Sequence, residues 1–169
     1  REHMDAIEAE MSRLRSISAG PEHYALGRGY LTLQDYAPAR RHLELAIERG
    51  YAGPSVTYAL GMVLGRLSQR EPDLARRIED DELRSSRIGD IERELRNPAL
   101  ALLRSSSGSS VEAPRYAEAL IAFYGGDLQA ALAATREAFA AEEWLYEAKR
   151  LEGDILLELG ASNRLRGDA

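Results

Sequence analysis

Three histidines, at positions 3, 23 and 42, are the side chains best suited to acid–base or metal chemistry in this chain. Their spacing does not match a His-Glu-x-x-His zinc site, in which two ligands one helical turn apart flank a general base. The sequence therefore predicts structural or surface roles for His3, His23 and His42.

An acidic run from Glu79 to Glu82 is a second candidate, because divalent cations prefer carboxylate oxygens. A calcium loop needs alternating oxygen ligands and a central glycine, and this run has neither. Arginines stand on both sides of it, so a solvated helix face with ion pairs is the favoured interpretation. The chain also lacks a Gly-x-Ser-x-Gly elbow, a Gly-rich nucleotide loop, a His-Arg-Asp loop and an Asp-Phe-Gly. We therefore expect no catalytic residue, metal site or cofactor of its own.

The composition is that of a globular helical protein. The chain has 169 residues, of which 44% are hydrophobic and 30% charged, with Ala, Leu, Arg and Glu prominent. Its net charge is −6 and its charges are interleaved, which gives no footprint for nucleic acid. It has no cysteine, no signal peptide and no apolar run near the roughly 20 residues of a membrane helix. We expect a cytoplasmic piece of a longer protein that does not insert into membranes.

One phrase occurs twice and predicts how the helices are arranged. Tyr24-Ala25-Leu26-Gly27 is followed 34 residues later by Tyr58-Ala59-Leu60-Gly61. If Gly27 is position 8 of a 34-residue unit, small residues fall at positions 8, 20 and 27, and large ones at 7, 11 and 24. The small residues let two helices cross closely, and the large ones fill the space beside the crossing. Residues 20–53 are therefore predicted to form a helix–turn–helix repeat.

The pattern returns along the chain with one interruption. A second repeat spans 54–106, but its second-helix pattern appears only at Asn97-Pro98-Ala99. A charged insert of about residues 68–96 is therefore expected. It is predicted to form one or two extra helices, because long structureless loops are rare in compact domains. A third repeat at 113–143 has its turn at Gly126-Asp127-Leu128, and a closing helix at 144–160 precedes a tail, 161–169. An amphipathic leading helix at 1–18 either caps the array or ends a coiled linker.

Residues 20–160 resemble a tetratricopeptide (TPR) array of three repeats plus a closing helix. Segments such as HYALGRGYLTLQDYAPARRHLE and WLYEAKRLEGDILLELG resemble more narrowly the TPR region C-terminal to the catalytic domain of bacterial serine/threonine protein kinases. The resemblance implies an all-α, TPR-like α-solenoid of antiparallel helix pairs, with a helical insertion in the second repeat. His23 in the usual Trp slot and Tyr51 in the usual Pro slot depart from the pattern. ATP and magnesium would be relevant only to a kinase domain upstream.

The resemblance also implies a partner-binding groove, since TPR proteins bind peptides along the wall formed by the first helix of each repeat. Three tyrosines share position 5 of that wall and would offer broad contact area with a polar handle. The alternative is that these side chains pack between helices and the array is only a spacer. The Lys and Asn residues of chaperone-binding TPR domains are absent from these positions, so chaperone tails are not expected. The implied groove consists of Tyr24, Arg28, Tyr58, Met62, Arg66, Tyr116, Leu120, Phe123, Tyr124, Arg150 and Asp154.

The favoured functional hypothesis is a non-catalytic protein–protein interaction module. It would bind a protein or peptide, such as a substrate or regulator of a bacterial serine/threonine protein kinase. The alternative is a self-association module that brings attached catalytic domains together as a homo-oligomer.

Overall fold

The computed structural model of the chain describes residues 6–7, 20–75, 77–106 and 113–167, and the regular secondary structure in these ranges is entirely helical. The all-α prediction is confirmed there. The predicted leading helix at 1–18 lies outside the described residues, except for residues 6 and 7, which are helical. The chain divides into two compact units, Arg1–Ser106 and Ser107–Ala169. In the described residues, no helix is both long and apolar enough to cross a membrane.

Within residues 20–75, the first two helices of the first unit, α1 (Gly20–Thr32) and α2 (Tyr36–Glu48), pack tightly against each other. Gly27 is where α1 approaches α2. A Cβ atom at Gly27 would lie 2.7 Å from Cγ of Leu43, which is fully buried. Ala39 and Ala46 are also fully buried on α2. Small side chains thus allow the two helices to cross closely, and Leu43 fills the remaining space.

The turn between α1 and α2 depends on one left-handed residue. Gln34 has φ +58°, which is uncommon for a residue with a side chain. Asp35 follows it, and α2 then begins. In the second unit the same place before Asp127 is held by Gly126, with φ +86°. Glycine adopts this conformation without steric cost, so Gln34 adds strain that Gly126 avoids.

The two long helical stretches that follow, residues 54–75 and 81–106, extend into the region predicted to be the insert. Helix α3 runs Pro54–Ala75, through Pro72 and eight residues into the expected insert. Helix α4 (Asp81–Ile91) continues through a π-helical segment (Glu92–Arg96) into α5 (Asn97–Ser106) without a break. Helix α3 packs against all three of these segments. In the described residues the insert is therefore mostly helical: it lengthens α3 and adds α4, which runs on into α5.

Two interactions hold the lengthened hairpin together. The Arg87 guanidinium on α4 donates to the Glu71 carboxylate on α3 at 2.7 Å. Ile91 and Leu95 are buried four residues apart and join the core of the first unit. Most of α4 before Ile91 is exposed, which agrees with the charged composition of this stretch.

Helix α3 repeats the packing of α1. A Cβ atom at Gly61 would lie 2.9 Å from Cγ of Leu103 on α5. Gly61 is thus nearly as close to Leu103 as Gly27 is to Leu43. One buried stripe of α3 carries Gly61, and a second buried stripe is formed by Val56, Ala59 and Val63. Because α3 packs against both α2 and α5, both stripes are covered.

The second unit contains α6 (Pro114–Gly125), α7 (Leu128–Ala141) and α8 (Tyr146–Gly167), with α7 packed against both neighbours. On α7, Ala131, Thr135 and Ala138 are buried. Thr135 occupies the slot of Leu43, and its hydroxyl donates to the Ala131 carbonyl at 2.6 Å. That bond satisfies a polar group that would otherwise be costly to bury. Helix α8 continues seven residues into the region expected to be a tail.

A charged cluster joins α7 to α8. Arg136 on α7 donates to the Glu152 carboxylate on α8 at 2.7 Å, and Lys149 donates to the same carboxylate at 3.0 Å. The hydrogen bond from Arg136 and then that from Lys149 lower the pKa of Glu152 below its ordinary value. Asp127 caps the start of α7 by accepting from the Ala130 amide at 3.0 Å.

Candidate protein-binding surface

The first unit places Tyr24 and Arg28 on one face of α1, four residues apart. Arg28 Nη1 donates to Tyr24 Oη at 2.9 Å, and the guanidinium carbon lies 5.8 Å from the centre of the Tyr24 ring. Arg28 is exposed, whereas Tyr24 is partly buried against the core. The pair therefore presents a cation and an ordered aromatic ring together.

Tyr51 adds to this surface, although the sequence interpretation did not assign it there. Its ring centre lies 5.5 Å from that of Tyr24, and the residue is exposed. There is no room for a side chain at Gly20 against Tyr51, so the start of α1 must be a glycine for this contact to form. The available signal was Tyr51 itself, a bulky aromatic in a slot where the TPR pattern has proline.

Three further predicted groove residues lie along α3, which contacts α1. Tyr58, Met62 and Arg66 recur every four residues and are all partly buried. They follow the same register on α3 that Tyr24 and Arg28 follow on α1, shifted by 34 residues. The first unit thus has two adjacent helices that carry Tyr and Arg, and none of the five predicted groove residues on them is acidic.

In the second unit, the predicted groove residues of α6 are buried, unlike those of the first unit. Tyr116, Leu120, Phe123 and Tyr124 are all buried on α6, and Tyr124 is only 1% exposed. The Phe123 and Tyr124 rings pack at 5.7 Å in a tilted arrangement. Six of the twelve residues of α6 are buried, so this helix has core residues around much of its circumference. In this structure the four side chains occupy core positions and present little surface to a ligand.

Helix α8 carries the last two predicted residues and an apolar surface. Arg150 is exposed and Asp154 is partly buried. Tyr146 and Leu157 are 75% and 74% exposed, which is unusual for large apolar side chains. Trp144 and Leu156 nearby in sequence are exposed as well. Among the described residues, no atom beyond the nearby backbone of α8 itself lies within 4 Å of where a Cβ at Gly153 would stand, so the α8 face around Gly153 is uncovered there.

Two of the three histidines meet in the first unit. His23 on α1 and His42 on α2 have their Nδ1 atoms 3.0 Å apart. Burial, and then the nearby His42, lower the pKa of His23 below its ordinary value. Among the residues that the structure describes, no group of three or more His, Asp and Glu side chains is positioned to hold a metal ion. His3 lies outside the described residues.

No protein-family model, curated protein or solved structure matches the chain.

Proposed function

We propose that this chain is a protein–protein interaction module built as a TPR-like α-solenoid. The observation that carries the proposal is the equivalence of Gly27 and Gly61. They stand 34 residues apart, and each lies directly beneath a leucine of the helix that packs on it, Leu43 or Leu103. A shared period with shared packing is what stacked helix-pair repeats require, because each unit must present the same crossing surface.

In the second unit, α7 has the same pattern of buried small residues as α2. Ala131 and Ala138 are buried at the spacing of Ala39 and Ala46, with the turn residues Gly126 and Asp127 before them. Helix-pair arrays of this type offer an extended wall of first helices, and such walls serve in recognition. Chemistry by this chain is not part of the proposal.

The proposed binding wall is the part of α1 and α3 that carries Tyr24, Arg28, Tyr58, Met62 and Arg66. Its aromatic rings and Met62 provide apolar contact area, and its two arginines favour carboxylates or phosphates. Of the five residues that define the wall, two are arginines and none is acidic, although the chain as a whole has a net charge of −6. It would therefore select an acidic or phosphorylated segment that also carries an apolar anchor. A substrate or regulator of a signalling kinase is the kind of partner we propose.

Selection from a displayed random-peptide library on the immobilised full chain tests this wall. We expect enrichment of peptides that combine Asp or Glu with one large apolar residue. Replacing Tyr58 and Met62 with Ala should weaken the selected peptides roughly tenfold to a hundredfold, since truncated anchor residues each cost more than about 1 kcal/mol. Leu33→Ala, at an exposed site in the turn after α1, is the matched control and should change nothing.

Two results would count against the proposal. If the Tyr58/Met62 double variant retains its helical content and still binds the selected peptides at wild-type affinity, the wall is assigned to the wrong residues. If no peptide is enriched, the interaction function loses its support.

A kinase parent is proposed on the sequence resemblance alone. The longer coding sequence tests it directly: a His-Arg-Asp catalytic loop and an Asp-Phe-Gly are expected upstream of Arg1. A longer protein without them would overturn the kinase assignment and leave the interaction module standing.

Self-association is a second candidate function, favoured by the exposed apolar side chains of α8 and the turn before it. Tyr146 and Leu157 are three-quarters exposed. Exposed apolar patches of this kind often mark interaction sites. The proposed occupant is a second copy of this chain, and the oligomeric state in solution decides it.

A further inference from the structure

The contact between His23 and His42 has a geometry that only some protonation states can satisfy. The two Nδ1 atoms are 3.0 Å apart, which is hydrogen-bond distance, and the rings are stacked with centres 5.2 Å apart and planes 28° apart. A hydrogen bond between two Nδ1 atoms needs one protonated and one unprotonated nitrogen. Each imidazolium is protonated on both ring nitrogens, so two imidazoliums would point two N–H groups at each other.

His42 has little freedom to escape such a clash. It is 1% exposed, and its other flank stacks on Tyr30, with ring centres 5.6 Å apart and planes 9° apart. His23 is partly buried across the α1–α2 interface. His42 therefore cannot move away, and relief of the clash must come from His23 and the part of α1 that carries it.

We propose that His23 and His42 form an acid-sensitive clasp, the histidine clasp, that holds α1 against α2 at neutral pH and releases it when both rings are protonated. The clasp tolerates one added proton, because a His23 imidazolium can still donate to a neutral His42. The second proton breaks it. Since α1 carries Tyr24 and Arg28, acidification loosens the helix that also bears part of the proposed binding wall.

The charges around the clasp disfavour protonation. Burial lowers the pKa of His23, and His42, Arg49 and Arg41 lower it further, while Glu22 alone acts in the opposite direction. Arg41 lies on α2, Arg49 caps the C-terminal end of α2, and Glu22 lies on α1. Helix α3 packs on α2, and its charged side chains among those described are Arg66, Arg70 and Glu71. Among the charged groups that shift the pKa of His23, the cations Arg49 and Arg41 therefore outnumber the single anion Glu22.

The direction of the pH effect follows from linkage. An unfolded histidine has a pKa of about 6.5. Because the folded pKa of His23 is lower, the unfolded chain binds more protons as pH falls through about 6.5, and stability is lost. The contribution is complete above that pH. It declines below it until the folded His23 also becomes protonated.

Urea unfolding of the full chain at a series of pH values from 7.5 to about 5 tests the clasp. One additional proton bound on unfolding raises the unfolding equilibrium constant by at most about tenfold per pH unit. We expect the wild type to show this extra rise below about pH 6.5 and His23→Gln to lack it. His3→Gln removes the other histidine outside the clasp and should follow the wild type.

A structural role alone would give a different result. If His23→Gln is less stable by the same factor at every pH, with the wild-type slope retained, the proposal is overturned. His42→Gln is a poor sole test because a buried substitution can prevent folding. Titration of the assigned wild-type ring resonances by NMR replaces it: the His23 imidazole should titrate clearly below about 6.5, and an ordinary His23 titration near 6.5 would overturn the clasp.

Discussion

At the residue scale, Gly27 marks the close approach of α1 and α2, and a larger side chain there should lower the free energy of unfolding. A Cβ atom there would stand 2.7 Å from Leu43 Cγ and 3.2 Å from the Leu43 backbone nitrogen. Leu43 is fully buried, so it cannot move aside into solvent. We expect Gly27→Ala to lower the free energy of unfolding by about 1–2 kcal/mol, because overpacking exceeds the helix-propensity gain of alanine. Urea denaturation measures it.

Gly153 provides the matched control for this substitution. It occupies the equivalent position of α8, but no atom of the described residues beyond the nearby α8 backbone lies within 4 Å of its hypothetical Cβ. Gly153→Ala should therefore raise the free energy of unfolding by about 0.5–1 kcal/mol through helix propensity. If both variants were stabilised alike, Gly27 would not be a close-packing position, and the equivalence of the first two repeats would lose its physical basis.

At the element scale, the turn from α1 to α2 is less favourable than the corresponding turn from α6 to α7. Gln34 holds φ +58° where Gly126 holds φ +86°. A left-handed residue with a Cβ costs about 1–2 kcal/mol, and glycine recovers part of this after its larger unfolded-state entropy is counted. We expect Gln34→Gly to raise the free energy of unfolding by about 0.5–1 kcal/mol in urea denaturation.

The reciprocal substitution at Gly126 tests the equivalent turn in the second unit. Gly126→Gln should lower the free energy of unfolding by about 1 kcal/mol, because it introduces the strain that Gln34 now carries. Opposite signs at the two sites support equivalent turns. A loss of stability for Gln34→Gly would instead show that the Gln34 side chain makes contacts worth more than its backbone strain.

Element boundaries also show which features the sequence can predict. The spacing of small and large residues around Leu26-Gly27 reflects how the helices pack, so the all-helical fold could be predicted from that spacing. The stretch that became α4 has mixed charges and few apolar residues, and periodicity alone does not show that it continues through a π-helical segment into α5. A proline inside a helix usually ends or kinks it, because its ring clashes with the preceding turn, yet α3 accommodates Pro72 and continues to Ala75.

The candidate surface was predictable to a lesser degree than the helices. Periodicity places residues on one face of a helix, but it does not say what covers that face. Tyr24 and Tyr116 share a position in the repeat frame, and the structure leaves Tyr24 partly exposed while it buries Tyr116. Aromatic side chains suit both a groove and a core, so only the packing of neighbouring helices separates the two outcomes.

At the scale of the whole molecule, the exposed apolar residues of α8 bear on its oligomeric state. Leu157 is 74% exposed and Leu156 is 47% exposed on the same helix. Full burial of a leucine contributes roughly 1.5–3 kcal/mol. Four such side chains across a symmetric dimer, each gaining about 1 kcal/mol from what remains exposed, would supply about 4 kcal/mol of the association free energy.

Static light scattering over a concentration series tests this prediction. We expect the apparent mass of the wild type to rise toward that of a dimer, and Leu156→Ser combined with Leu157→Ser to weaken association about a thousandfold, the equivalent of about 4 kcal/mol. Leu33→Ser removes an exposed leucine of similar accessibility from the first unit and should associate like the wild type. A wild type that stays monomeric at every concentration would exclude self-association of this chain, and association that survives the double substitution would move the interface away from α8.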